Sequence, residues 1–191
     1  MKLAALATAA TLVGLVSGHG RVTTPTARVL GTKAQERCGA GAYKVLNSDK
    51  AAPIENAVAK IDSGYNAALC PLFFCRGHQF DDNTSNVQKY TPGQQVRFLV
   101  DIVAHHTGTA NVSIVNLASQ TTIGKPLFAW PIYTNNSLGP DQWVKNETDF
   151  TVTIPTNLGT TCSTPGACAI QWWWYAFNKQ TYESCVDFVT V

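Results

Sequence analysis

From Val96 to Ala104 the apolar residues Val96, Phe98, Val100, Ile102 and Ala104 stand at every second position, with Arg97 and Asp101 between them. Alternation with period two puts one set on each face of an extended segment, which predicts a strand with one buried side. The turn signal Thr91-Pro92-Gly93 precedes it and Gly108 breaks it. Further strands are predicted over Ala110–Leu117, Pro126–Tyr133, Phe150–Ile154 (ending at Pro155), Cys168–Phe177 and Cys185–Val191. Short strands punctuated by Gly, Pro and Asn predict an all-β fold, an antiparallel β-sandwich. Between Val22 and Lys89 the pattern is weak. Glu55–Asp62 is a candidate short helix, and the rest reads as long loop pinned by disulfides.

The other strong pattern is at the start. Lys2 is followed by an unbroken apolar and small-residue run, Leu3–Val16, and then by Ser17-Gly18. The run is too short to span a bilayer, which takes about 20 residues. It predicts a signal peptide over residues 1–18, cut before His19, and a single mature domain over 19–191 that is secreted to the extracellular space. No later membrane span, lipid anchor or second domain is expected.

Composition sharpens this. Charged residues are 14 % of the 191, against roughly 25 % in an average soluble protein, and the formal net charge is +2. No basic run is present, so a nucleic-acid partner is not expected. Six cysteines, Cys38, Cys70, Cys75, Cys162, Cys168 and Cys185, predict disulfides in an oxidising compartment. Proximity suggests Cys70 with Cys75 and Cys162 with Cys168, leaving Cys38 with Cys185, although the pairing stays open. Their spacings lack the C-x2-C knuckles of a zinc site. Asn83, Asn111, Asn135 and Asn146 each head an N-glycosylation triplet.

The candidate chemistry begins with the cut. A chain starting at His19 would present an α-amine and ring Nδ1 from one residue, a chelating pair for a metal. His105-His106 follows the Val96–Ala104 strand, at a strand end where loops carry function. In ideal alternation His106 shares the face of Phe98 and Val100, and His105 that of Arg97 and Asp101. One ring nitrogen from this pair would complete three nitrogens, a set that suits copper. Tyr182, anchored by Cys185, could add a weak axial oxygen. His78, in Cys75-Arg76-Gly77-His78, reads as structural or supporting. Core packing is favoured over sugar stacking for Trp172, Trp173 and Trp174. The acidic residues single out no hydrolase pair.

These residues resemble a known family. The predicted N-terminal His19, the segment Ala104-His105-His106-Thr107 and the segment Gln180-Thr181-Tyr182-Glu183-Ser184-Cys185-Val186-Asp187 are similar to the three signatures of lytic polysaccharide monooxygenases. Cys75–Asn83, His106–Ile114 and Trp172-Trp173-Trp174-Tyr175 look most like fungal auxiliary activity family 16, within the broader chitin-binding type-4 group. The resemblance covers His19–Val191. It implies an immunoglobulin/fibronectin III-like sandwich with a flat face around copper, held by His19 and His106, with Tyr182 axial. His106 is chosen because the family pattern is Ala, one variable residue, then the ligand. Gln180 would hydrogen-bond near the oxygen species, so Tyr182 and Gln180 are the candidate catalytic residues. The implied activity is oxidative cleavage of a β-1,4-linked polysaccharide, first of all cellulose. The implied partners are an insoluble polysaccharide surface, an external electron donor and O2 or hydrogen peroxide, acting on a monomer. One departure is that Ala169–Phe177 lacks the supporting histidine of cellulose-active relatives. The competing class is a secreted copper- or polysaccharide-binding protein that does not cleave.

Overall fold

The computed structural model of the chain describes residues 19–139 and 142–191. The predicted signal peptide, residues 1–18, lies outside them. Eight strands and two helices follow in the order β1 (His19–Thr24), α1 (Thr32–Ser48), α2 (Ile54–Val58), β2 (Gln88–Tyr90), β3 (Gln95–Ala104), β4 (Gly108–Asn116), β5 (Thr121–Tyr133), β6 (Asp149–Thr153), β7 (Cys168–Ala176) and β8 (Gln180–Thr190). They form a three-stranded sheet, β1-β3-β6, and a five-stranded sheet, β2-β8-β7-β4-β5. All the pairings are antiparallel except that of β2 with β8. The fold is the expected immunoglobulin/fibronectin III-like sandwich.

Alternation decides what fills it. Val96, Phe98 and Val100 of β3 turn inward, as do Phe150 and Val152 of β6. They meet Val112, Ile114, Ile170, Trp172, Trp174, Tyr182 and Phe188 from the larger sheet in one apolar cluster. Trp172 and Trp174 are fully buried, as core packing requires, while Trp173 faces outward. Fully burying side chains of this size contributes about 1.5–3 kcal/mol each.

Two expectations need correction. The stretch expected to be mostly loop carries β1, β2 and the 17-residue helix α1. That helix bends at Gly39, whose φ of 73° is a left-handed conformation that glycine adopts without a Cβ clash. Its first turn has no cap from its own N-cap residue. The Asp82 carboxylate caps it instead, accepting the Lys33 and Ala34 N–H groups at 2.9 Å each. Ala34, Cys38, Ala42 and Leu46 form its buried face, packed on Ile54, Ala57 and Leu72 in a second, smaller core.

The disulfide pairing also differs. The bridges are Cys38–Cys70, Cys75–Cys185 and Cys162–Cys168, so only the last matches the proximity argument. Cys70 sits in the helical core, whereas Cys75 packs with Val115, Ala169 and Cys185 behind the larger sheet. Cys75, Arg76 and Gly77 have φ values of 51°, 57° and 69°. These left-handed residues turn the chain back after Cys75, so that Gly77 lies against the Cys70 sulfur.

Candidate metal centre

The expected ligands come from three strand ends. In the β1–β3 register His19 pairs with Ala104, two residues before His106. The next residue, Gly20, lies against the core. A Cβ there would meet Ile102 Cδ1 at 2.9 Å and the Trp174 ring at 3.1 Å, so only glycine brings β1 this close. The Gly20 N–H donates to the Ala51 carbonyl at 3.1 Å, tying the strand to the loop after α1. From that loop Asp49 reaches His19, with Oδ2 2.7 Å from Nε2. Asp49 is itself fixed, because its Oδ1 accepts the Ala51 and Ala52 N–H groups at 2.9 and 3.0 Å.

His106 belongs to the turn between β3 and β4. Its Nδ1 is hydrogen-bonded to Asn178 Nδ2, and its carbonyl accepts the Thr134 hydroxyl at 2.7 Å. Asn178 also donates to Gln180 Oε1 at 2.9 Å, and the Tyr182 hydroxyl donates to the same oxygen at 2.8 Å. A continuous polar chain thus runs from the His106 ring through Asn178 and Gln180 to Tyr182. The Tyr182 ring is fully buried and stacks on Trp174, with centroids 4.3 Å apart. Burial, with the nearby Glu55 carboxylate adding to it, pushes the phenol well above its ordinary pKa, so it stays protonated. Glu55 also locks the strand start by accepting the Thr181 N–H at 2.9 Å and the Thr181 hydroxyl at 2.8 Å.

His105 is used differently. Its ring stacks on Trp143 at 3.4 Å between centroids, and burial lowers its pKa. The structure thus brings His106, Gln180 and Tyr182 into one network beside the strand end that carries His19, and leaves His105 out of it. His78 is structural in placement. Its Nδ1 lies 3.0 Å from the Arg28 carbonyl, and Arg28 Nη1 donates to the His78 carbonyl at 2.9 Å. Arg28 in turn forms a buried bidentate pair with Asp187, 2.7 Å on each arm. Of the four glycosylation triplets, Asn83 is 2 % exposed, and its Nδ2 donates to the Val29 and Gln79 carbonyls. Asn111 and Asn135 are half-buried and Asn146 is exposed.

The sequence reading missed Asp49, Glu55 and Asn178. Only Asn178 carried a signal, through its position two residues before Gln180. Asp49 and Glu55 are more than 120 residues from β8, the first on a stretch read as loop and the second at the start of a candidate short helix.

The donor chemistry fits a metal bound by nitrogen. Asp49 engages the outer ring nitrogen of His19, and Nδ1 is the atom that closes a small chelate with the residue's own amine. At His106 the Asn178 amide fixes the Nδ1 edge of the ring; a metal at Nε2 would need that amide turned so that its oxygen accepts Nδ1–H. Fixing one imidazole nitrogen through an outer partner is how a protein aims the other at a metal. Among the described residues no three His, Cys, Asp or Glu side chains gather as a metal cluster. The third nitrogen would be the amine that a cut before His19 would free.

Fold and site together give a β-sandwich in which His19 opens a strand paired with Ala104, His106 follows two residues on, and the buried Tyr182 is linked to His106 through Gln180 and Asn178. The chain belongs to the family described as lytic polysaccharide mono-oxygenase, cellulose-degrading, whose sequence model matches residues 19–188. No curated protein matches its sequence. Solved structures that align include a chitin-binding domain from Burkholderia pseudomallei, at 13 % identity, covering 91 % of this chain and 100 % of that one, with a TM-score of 0.41. The cellulose-active CelS2 in complex with copper aligns at 14 % identity, 90 % and 98 % coverage and a TM-score of 0.44. A lytic polysaccharide monooxygenase from Thermobia domestica in the Cu(I) state aligns at 17 %, 90 % and 98 %, and 0.43.

Proposed function

We propose that the chain is an exported copper-dependent monooxygenase that oxidatively cleaves β-1,4-linked polysaccharide, with cellulose as its substrate. The observation that carries this reading is the polar chain from His106 to Tyr182, ending beside the strand that begins at His19, in a chain of this family. Removal of residues 1–18 would free the His19 amine, and the family match starting at His19 supports that cut. His19, through amine and Nδ1, and His106, through Nε2, would hold copper, with the Tyr182 hydroxyl as a weak oxygen donor. When bound, copper supplies one-electron chemistry with O2 or hydrogen peroxide, drawing on an external electron donor.

The chain's own residues do the positioning. Asp49 and Asn178 orient the two imidazoles. Gln180 Oε1 accepts from both Asn178 and the Tyr182 hydroxyl, so its side chain is held at the edge of the centre, where it can present its amide to a small polar ligand. Tyr182 is packed on Trp174, and burial keeps it a neutral phenol in the metal-free protein. Neutral oxygen beside three nitrogens keeps the set suited to copper. Among the described residues no helix is long and apolar enough to cross a membrane. Within the family we place the chain with auxiliary activity family 16, on the segments Cys75–Asn83 and His106–Ile114.

The test is to secrete the protein, sequence its N-terminus, load it with copper and incubate it with cellulose and a reductant. We expect His19 first, one copper per chain and oligosaccharides ending in aldonic acids. Copper binding with no oxidised product from cellulose, chitin or xylan would favour the non-cleaving alternative. A chain that starts elsewhere would remove the metal centre.

A further inference from the structure

With Trp172 and Trp174 turned into the core, β7 presents Gln171, Trp173 and Tyr175 on its outer face. The Trp173 and Tyr175 rings are stacked, with centroids 6.1 Å apart and planes 11° apart. Directly across from Trp173 in the β4–β7 register stands Asn111. Ser113, the next outward residue of β4, donates from its hydroxyl to Asn111 Oδ1 at 2.9 Å. A cavity of about 290 Å³ lies over these residues, walled by Phe73, Gln120, Gln171, Trp173 and Glu183 as well as Asn111. Phe73 is 54 % exposed. Glu183 is 2 % exposed and its Oε2 accepts the Arg76 N–H at 3.0 Å. Its Oε1 has no partner at hydrogen-bonding distance among the described residues, although the Gln171 amide is near enough to favour its anion.

A flat aromatic surface flanked by amides, a hydroxyl and one buried acceptor is complementary to a pyranose ring. The sugar's C–H face lies on the indole, and its O–H and N-acetyl groups meet the polar rim. Asn111-Val112-Ser113 is also an N-glycosylation triplet, so the chain can carry such a sugar covalently. We propose that Asn111 bears an N-linked glycan whose first N-acetylglucosamine is seated in this groove against Trp173. This rests on the export reading above. The donor is a lipid-linked oligosaccharyl diphosphate. Asn111 Nδ2 forms the bond to sugar C1 and gives up one proton, and the lipid diphosphate leaves. Asn83, whose nitrogen is spent on two backbone carbonyls inside the protein, is a structural residue by the same reasoning.

The experiment secretes the chain from a eukaryotic host, sequences its N-terminus and maps each triplet by mass spectrometry. It then follows release of the Asn111 glycan by a peptide N-glycosidase, which must reach the sugar–asparagine bond. We expect Asn111 to be occupied, with release from native protein at least about ten-fold slower than from the denatured glycopeptide. Trp173→Ala and, separately, Phe73→Ala should narrow that gap, the second without touching the sheet. An exported chain starting at His19 with bare Asn111 would overturn the proposal, as would equally fast release from native protein. A chain that keeps residues 1–18 and carries no sugar would refute export itself, and this modification with it.

Discussion

Acidification should destabilise the fold through His78 by an amount that can be worked out. Burial, with the nearby Arg76 and Arg28 charges, lowers its pKa from 6.5 to about 4. The residue as a whole is only half-buried, but its Nε2 is sealed from solvent and unpartnered among the described residues. The ring therefore stays neutral in the folded protein while the unfolded chain takes up a proton near pH 6.5. Between those values the unfolded state binds more protons, so stability falls as pH drops. The full loss, reached below pH 4, is 2.5 pKa units at 1.36 kcal/mol each, or about 3 kcal/mol. Glu183 works against this. Burial raises its carboxyl to about 7, so the folded state there gains relative stability on acidification. The two contributions overlap, and a single stability curve would look flat. The informative quantity is the difference between the parent and His78→Asn, which retains a donor for the Arg28 carbonyl but does not titrate. Denaturant unfolding of metal-free protein, followed by tryptophan fluorescence at constant ionic strength, gives that difference. We expect the parent to lose about 3 kcal/mol relative to the variant between pH 7 and pH 4. Curves that stay parallel within about 1 kcal/mol would show that the folded ring protonates normally.

Other outcomes follow from the same geometry. Asp49→Asn retains the cap on Ala51 and Ala52 but weakens the hold on the His19 ring; copper affinity by calorimetry should fall about 10–100-fold with little change in Tm. His106→Ala should abolish copper binding, whereas His105→Ala, which loses only the stack on Trp143, should largely spare it; equal losses would place the metal elsewhere. Replacing both Cys75 and Cys185 by Ser should cost about 5 kcal/mol in the chain-entropy account, given their separation of 110 residues. The same change at Cys162 and Cys168, only 6 apart, should cost about 2 kcal/mol, and denaturant midpoints would rank the pair.

The sandwich was legible where alternation was strong. Phe98, Val100 and Phe150 announced their faces because a strand with one wet side has no other way to arrange them. The same parity separated His106 from His105, and in the fold the two indeed have different surroundings. The helix α1 was hidden by its composition. Gly39 and Gly41 sit in its middle, and only Ala34, Cys38, Ala42 and Leu46, spaced by four, mark a buried stripe. Cys70 and Cys75 misled because closeness in sequence does not record which core a side chain enters: Cys70 turns into the helical core and Cys75 behind the larger sheet. Asp49 and Glu55 were invisible for a different reason. Their partners His19 and Thr181 are brought to them only by tertiary folding, and no local spacing encodes that meeting.

Chain ends are ordinarily the first part of a protein to fray. Here the residue proposed to become the end opens a strand that is paired along β3, stitched to Ala51 through Gly20 and wedged against two indoles. A terminus so restrained has given up its freedom before any ion arrives. The chelate would then be preorganised, and little ordering entropy would be left to oppose capture of the metal. The same restraint sets a limit on tolerance, since one extra residue ahead of His19 would remove the amine without disturbing any of the packing behind it.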